Sequence, residues 1–208
     1  MSKLAVFDTE TSGVPDWSKP SHLPHQPHIV SLGALLVDAD TLNIEDEFYA
    51  VALHDGWESD KEALDVHGIT TEYANEVGVP EHEIVSKFLE WALDTPGVTR
   101  VGFSLSFEDR IMRIAMKRYG LSPQAENYKG RNKFCCMQQS RPIVEARSAK
   151  TGRVKNPTLV EAHQFFTGDS YHNPHNAMND ALATLAIYRH LKEHHSSKTD
   201  ELRQQVDI

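Results

Sequence analysis

The amino-acid sequence predicts an α/β layered domain built on a mixed sheet. Three features point there: short apolar runs at 3–8 and 98–103, a hairpin-like pair of runs over 29–53, and segments of helical period at 81–94, 107–119 and 176–192. Strands come first, strand and helix then alternate, and a long helix ends the pattern.

Taken in order, residues 3–8 (Lys-Leu-Ala-Val-Phe-Asp) form a short buried strand ending in acid. Residues 14–28 place Pro15, Pro20, Pro24 and Pro27 among His22, His25 and His28, a loop composition. Ile29 to Val37 is an apolar strand with one glycine, Gly33. Asp38-Ala39-Asp40 turns the chain, and Ile44 to Leu53 returns as the second strand of a hairpin. Helical spacing follows at 59–66 and 81–94, where Ile84, Phe88, Trp91 and Ala92 share a face. Val98 to Phe103 is a strand. Residues 107–119 form a helix with Ile111, Ile114, Ala115 and Arg118 at helical spacing and Gly120 as its C-terminal cap. Residues 122–157 are polar and basic, with a short strand near Phe134. Leu159 to Phe166 is a helix ended by Gly168, and 176–192 is the last long helix, with Ala177, Ala181, Leu185 and Tyr188 along one stripe. The polar chain after Lys192 is expected to fray. The organisation read from this is a domain at 1–192 and a polar tail at 193–208.

At 208 residues, with 39% hydrophobic and 25% charged residues, the chain suits one globular domain with a sizeable core. No apolar run approaches the roughly 20 residues of a membrane helix, and the N-terminal apolar stretch is too short for a signal peptide. Cys135 and Cys136 are adjacent and have no third cysteine to pair with, so a reducing, cytoplasmic setting is the default. The net charge of -9 argues at first against a nucleic-acid partner. Its distribution reverses that. Residues 110–155 hold 12 basic and 2 acidic side chains, a +10 segment within a -19 remainder. Such a segment reads as a phosphate-tracking strip, with part of it left to offset the acidic remainder inside the fold or at a subunit contact.

Carboxylates recur at the ends of predicted elements. Asp8 and Glu10 are two apart and share a face if the strand geometry persists. Two such close acids need a cation between them or raised pKa values. Alone, the pair reads as a solvated acidic turn, but Thr11-Ser12-Gly13 follows, small residues that let backbone approach a ligand. Val101 to Glu108 runs from a strand end into a helix and brings Glu108 and Asp109, which alone would be ordinary helix-dipole partners. His175 and Asp180 are five positions apart, about 500° on a helix, so their side chains diverge by about 140° if both are helical. They converge if His175 sits just before the helix, as Pro174 favours.

Together these elements resemble the DEDDh family of 3′–5′ exonucleases, which includes the proofreading subunits of DNA polymerases. Asp8 to Gly13 matches its D-x-E-T-T/S-G motif, and His175 and Asp180 match its H-x4-D motif. Val66-His67-Gly68-Ile69-Thr70 stands between the first and second motifs, as it often does in the family. Phe134-Cys135-Cys136-Met137 and Pro157 to Gly168 look like the phage and bacterial stand-alone branch. The second motif departs from the family's N-x-x-F-D: aligned on Phe107, it carries Ser104 and Glu108.

The resemblance implies a ribonuclease H-like three-layer fold, a mixed five-stranded sheet flanked by helices. It implies two divalent ions, Mg2+ or Mn2+, with Asp8 bridging both, Glu10 and Asp180 on one, and Glu108 on the other through water, Asp109 being the alternative to Glu108. It makes His175 the general base, a role that an imidazole pKa of about 6.5 suits. Thr11, Ser12, His67, Ser104 and Phe107 become substrate contacts, although Phe107 equally suits the core. The implied substrate is the 3′ end of single-stranded DNA or RNA, DNA being expected ahead of RNA, and the products nucleoside 5′-monophosphates. The family includes monomers and dimers, so a homodimer stays open; no polymerase-binding tail is evident. Trp17 reads first as a loop anchor and second as a stacking platform for a splayed base. The His22, His25, His28 series mimics a metal site, but a proline-broken loop argues against it. The competing function class is a catalytically weak nucleic-acid-binding relative. A Ser-His-Asp hydrolase lacks its G-x-S-x-G elbow.

Overall fold

The computed structural model describes residues 2–93, 97–121 and 127–206. Its centre is a five-stranded mixed sheet of β1 (Lys3–Thr11), β2 (Ile29–Asp38), β3 (Ile44–Val51), β4 (Thr99–Gly102) and β5 (Asn132–Cys135), in the order β3-β2-β1-β4-β5. β1–β2 and β2–β3 are antiparallel; β1–β4 and β4–β5 are parallel. The helices are α1 (Lys61–His67), α2 (Thr71–Val77), α3 (Glu81–Leu93), α4 (Leu105–Arg118), α5 (Cys136–Val144), α6 (Leu159–Thr167) and α7 (Ala177–Val206). This is the ribonuclease H-like α/β arrangement expected from the sequence, with three layers.

Strand alternation separates two cores. Ala5 and Phe7 of β1 and Leu32 and Ala34 of β2 face α3 and α4, where Phe88, Leu89, Ile111 and Met112 are buried. Leu4, Val6, Leu35 and Val37 face the other way, against Ala181, Leu185, Ile187 and Leu191 of α7 and Ala162 of α6. Phe7 and Phe88 sit 5.1 Å apart in a tilted ring pair at the centre of the first core. β1 is therefore covered on both faces, which is why its apolar run has no polar alternation before Asp8.

Several expectations change. Strand β1 continues past Asp8 to Thr11 because β2 pairs with it to the end. Helices α2 and α5, missing from the sequence reading, are short and bury little: only Ala74 in α2, and Cys136 and Ser140 in α5, which also contains Pro142. Helix α7 continues past Lys192 to Val206. That polar stretch is rich in Lys, Glu, Gln, Arg and Leu, which lose little side-chain freedom in a helix. Gly120 takes φ 69° just after α4, and Leu121 N–H donates to Met116 O at 2.9 Å, the closure expected of a helix-ending glycine.

The proline-rich loop is held from inside. Arg110 of α4 donates to Ser21 Oγ at 2.8 Å and to the carbonyl oxygens of Asp16 and Lys19. Arg118 donates to the Gln26 and Pro27 carbonyl oxygens at 2.7 and 3.0 Å. Glu81 gathers His28 Nδ1 at 2.6 Å, Ile29 N–H at 2.9 Å and the Tyr119 hydroxyl at 2.7 Å; against the cost of burial, the bonds from His28 and Ile29, and after them Arg118, hold its carboxyl below the usual range. His25 lies 3.6 Å from Asp16 and His28 bonds Glu81, and among the described residues the three loop histidines form no common ligand group.

Gly33 fixes how α7 meets the sheet. It pairs with Asp8 across β1–β2 and lies on the α7 face. A Cβ there would overlap Met178 N and the Ala177 carbonyl group. The first turn of α7 can rest on the strand only because that side chain is absent. Gly33→Ala is expected to lower stability by about 1–3 kcal/mol, the usual cost of overpacking. Urea unfolding measures it; an unchanged midpoint would show that the first turn of α7 shifts freely.

Candidate active site

Asp8 and Glu10 project from the end of β1 on the face that α7 covers. Thr9, between them, points to the other face, and its Oγ1 donates to Glu108 Oε2 at 2.6 Å. Glu108 is buried in the first turn of α4. Asp180 is buried in the first turn of α7 and accepts the His175 N–H at 3.2 Å and the Tyr171 hydroxyl. Three chain segments far apart in sequence thus deliver four carboxyl groups to one end of the sheet.

His175 precedes α7, as convergence with Asp180 requires. Asn173 and His175 take φ of 56° and 68°, on either side of Pro174, and this left-handed double kink folds the segment back over the helix start. His175 is exposed, and ligand atoms of Glu10, His175 and Asp180 lie within 4.8 Å of one another, the one such group of three among the described residues.

The electrostatics follow from that crowding. Burial raises all four carboxyl pKa values, and neighbouring carboxylates push Asp8, Glu10 and Glu108 the same way. Asp8 is driven well above the ordinary 3.8 by burial and then by Glu108, Asp180 and Glu10. Glu10 is pushed up to about 7 by burial and Asp180. Glu108 rises to about 8, chiefly through burial, with the Thr9 hydrogen bond opposing and Glu10 adding to the rise. Asp180 is raised by burial, while its bonds from Tyr171 and His175 pull it back. Among the described residues no Lys or Arg forms an ion pair with any of the four. Hard oxygen donors, close together and lacking a cationic partner, are the donor set divalent ions such as Mg2+ take.

Glu108 and Asp109 separate cleanly. Asp109 turns away from the cluster and pairs with Arg100, and the Tyr128 hydroxyl donates to it at 3.1 Å. The acid facing Asp8 is Glu108.

The expected substrate contacts lie at the end of β1, in α1 and at the start of α4. Thr11 Oγ1 donates to Gly13 O at 2.9 Å. Ser12 is tied into the fold: its Oγ accepts the His28 N–H at 2.9 Å, and its carbonyl accepts the Asp60 N–H at 2.7 Å. His67 Nδ1 accepts the Ile69 N–H at 3.0 Å, and its Nε2 is buried without a partner. Burial and His54 lower its pKa. Ser104 leads α4, its carbonyl accepting Phe107 N–H and Glu108 N–H. Phe107 packs against the first core. Trp17 is 57% exposed with the Arg110 guanidinium over its ring at 5.8 Å, the loop-anchor arrangement.

Thr9, Gly33 and Tyr171 were missed in the sequence. Gly33 carries a signal, a lone glycine inside an apolar strand. Thr9 and Tyr171 carry none, since a hydroxyl beside an acid is common in any loop or strand.

The fold class so defined is the ribonuclease H-like α/β fold. Neither a protein-family model nor a curated protein sequence matches the chain. Solved structures of exonuclease I do match in fold. The E. coli enzyme in complex with a dT13 oligonucleotide gives a TM-score of 0.74 at 18% identity, over 97% of this chain and 43% of that one. The zinc-bound E. coli enzyme–ssDNA complex gives 0.69 at 18%, over 98% and 43%. Exonuclease I from Methylocaldum szegediense gives 0.71 at 22%, over 93% and 41%. The chain spans less than half the length of these proteins and shares the fold of that part.

The raised carboxyl pKa values make metal-free stability fall with pH. Glu10 and Glu108 hold protons more tightly folded than unfolded, where their pKa is about 4.3. The stability this contributes is full below that value and is lost as pH rises through about 7 and 8. Scanning calorimetry in EDTA should show Tm falling from pH 5 to pH 8, and Mg2+ should raise Tm more at pH 8 than at pH 5. A flat profile would contradict the placement of the four carboxyls.

Proposed function

We propose that the chain is a metal-dependent 3′–5′ exonuclease that releases nucleoside 5′-monophosphates from single-stranded nucleic acid, DNA ahead of RNA. The observation carrying this reading is the meeting of Asp8, Glu10, Glu108 and Asp180 at one end of the sheet with His175 beside them. The fold it shares with oligonucleotide-bound exonuclease I supports it, as do the D-x-E-T-S-G and H-x4-D motifs.

Two divalent ions, Mg2+ or Mn2+, held by Asp8, Glu10, Glu108 and Asp180, would stabilise charge on the attacking and leaving oxygens. His175, exposed at the edge of the cluster, takes the proton of the attacking water on an imidazole nitrogen. Water oxygen bonds to phosphorus and the bond from phosphorus to the 3′ oxygen of the penultimate nucleotide breaks. That oxygen takes up a proton and becomes the new 3′ end. Thr9 keeps the Glu108 carboxylate in place from the far face of β1, and Tyr171 does the same for Asp180. Glu108 supplies the carboxylate that the family's second motif provides as Asp, so the departure there leaves the acid count intact.

Release of mononucleotides from a 3′-labelled single strand, with Mg2+ and with EDTA, tests the proposal; no metal-dependent release overturns it. His175→Ala should lower kcat by about 10²–10⁴. Glu108→Gln should abolish cleavage, whereas Asp109→Asn should keep most of it. The reverse order would move the ligand role to Asp109.

A further inference from the structure

The +10 segment is not uniformly available. Arg110 and Arg118 hold the proline-rich loop, Arg147 donates to Gly152 O, and Lys155 pairs with Glu161. Of the remainder, Arg113, Lys117, Lys129, Arg131 and Lys133 gather around a cavity of about 980 Å³ between α4 and the edge strand β5. Arg113, Lys117, Lys129 and Lys133 line it, all exposed, and among the described residues none of the four forms an ion pair. Among the described residues that line it, the carboxylate is Asp109, which pairs with Arg100. Arg100 is 3% exposed, and its Nε has no hydrogen-bond partner. The ring of Tyr128, on the floor, is covered by that guanidinium at 4.2 Å, which closes its face to a stacked base.

We propose that this cavity is a second, sequence-independent anion site that binds phosphate groups, separate from the carboxylate cluster. The ligand is the phosphate backbone of a polynucleotide strand or a free oligophosphate. Reading it as the strand whose 3′ end occupies the cluster rests on the exonuclease proposal. Fixed cations of one sign with no accessible stacking face select charge spaced along a chain rather than base identity. Helix α4 joins the two sites: Glu108 faces the cluster, while Asp109, Arg113, Met116 and Lys117 form the stripe along the cavity. The axial rise from Glu108 to Lys117 is about 13 Å. At about 3.4 Å per stacked nucleotide, that is a span of about four nucleotides.

The test is binding in EDTA, where no hydrolysis occurs, so a failed cleavage assay leaves this result standing. A twenty-nucleotide oligothymidylate and tripolyphosphate are titrated into the wild-type chain, the Lys117→Gln/Lys133→Gln variant and the Lys117→Glu/Lys133→Glu variant. Thermal melting checks their fold, and the Gln pair serves if charge reversal perturbs it. A tenfold or greater loss of oligonucleotide affinity, with the Gln pair reducing the slope of log K against log salt by about 1.4, establishes a backbone site. Loss of tripolyphosphate binding alone establishes a site for free oligophosphates. Unchanged binding of both ligands overturns the proposal.

Discussion

Four carboxyl groups held near one another and largely out of water cannot all carry charge without a compensating cation. The rest of the structure is arranged to create and hold that conflict. β1 is buried on both faces, so the residues at its end inherit a protected position, and alternation sends Asp8 and Glu10 to one side with Thr9 to the other. The single strand thereby addresses two helices at once: α7 directly through the acids, and α4 through the Thr9 hydroxyl on Glu108.

Backbone choices far from any charge set the approach. Gly33 removes the side chain that would hold α7 off the sheet, and the left-handed residues around Pro174 turn His175 back toward Asp180. Helix α4 has the opposite requirement. Its first turn presents Glu108 inward, its arginines 110 and 118 anchor the proline-rich loop, and its outer stripe is basic. Acidic and cationic surfaces are thus separated by the rotation of one helix, with Asp109 and Arg100 pairing at the boundary.

The strands and helices were legible in the sequence because periodicity carries a direct physical signal, whereas the acids were singled out by their resemblance to the D-x-E-T-T/S-G and H-x4-D motifs, since each alone reads as an ordinary turn or helix-start residue. The two-sided burial of β1, the hairpin at 29–53 and the helices at 81–94 and 107–119 follow from apolar spacing, and Asp8, Glu10, Glu108 and Asp180 stand at element termini. Helices α2 and α5 were not legible because one or two buried residues give no stripe. The helical continuation past Lys192 was hidden by polarity, which leaves no apolar stripe to read. Site details carried by single hydroxyls, such as Thr9 and Tyr171, depend on tertiary placement alone. The basic count was read correctly as a sum, but which arginines face inward depends on the rotation of α4.

Proton release on metal addition tests the central claim most directly. At pH 7, Glu108 and part of the Glu10 population hold protons in the metal-free protein, and a cation must displace them. Titrating Mg2+ or Mn2+ into weakly buffered protein at pH 7 should release at least about one proton per chain, and Glu108→Gln should reduce that release. Metal binding with no proton release, or no metal binding at all, would contradict the account.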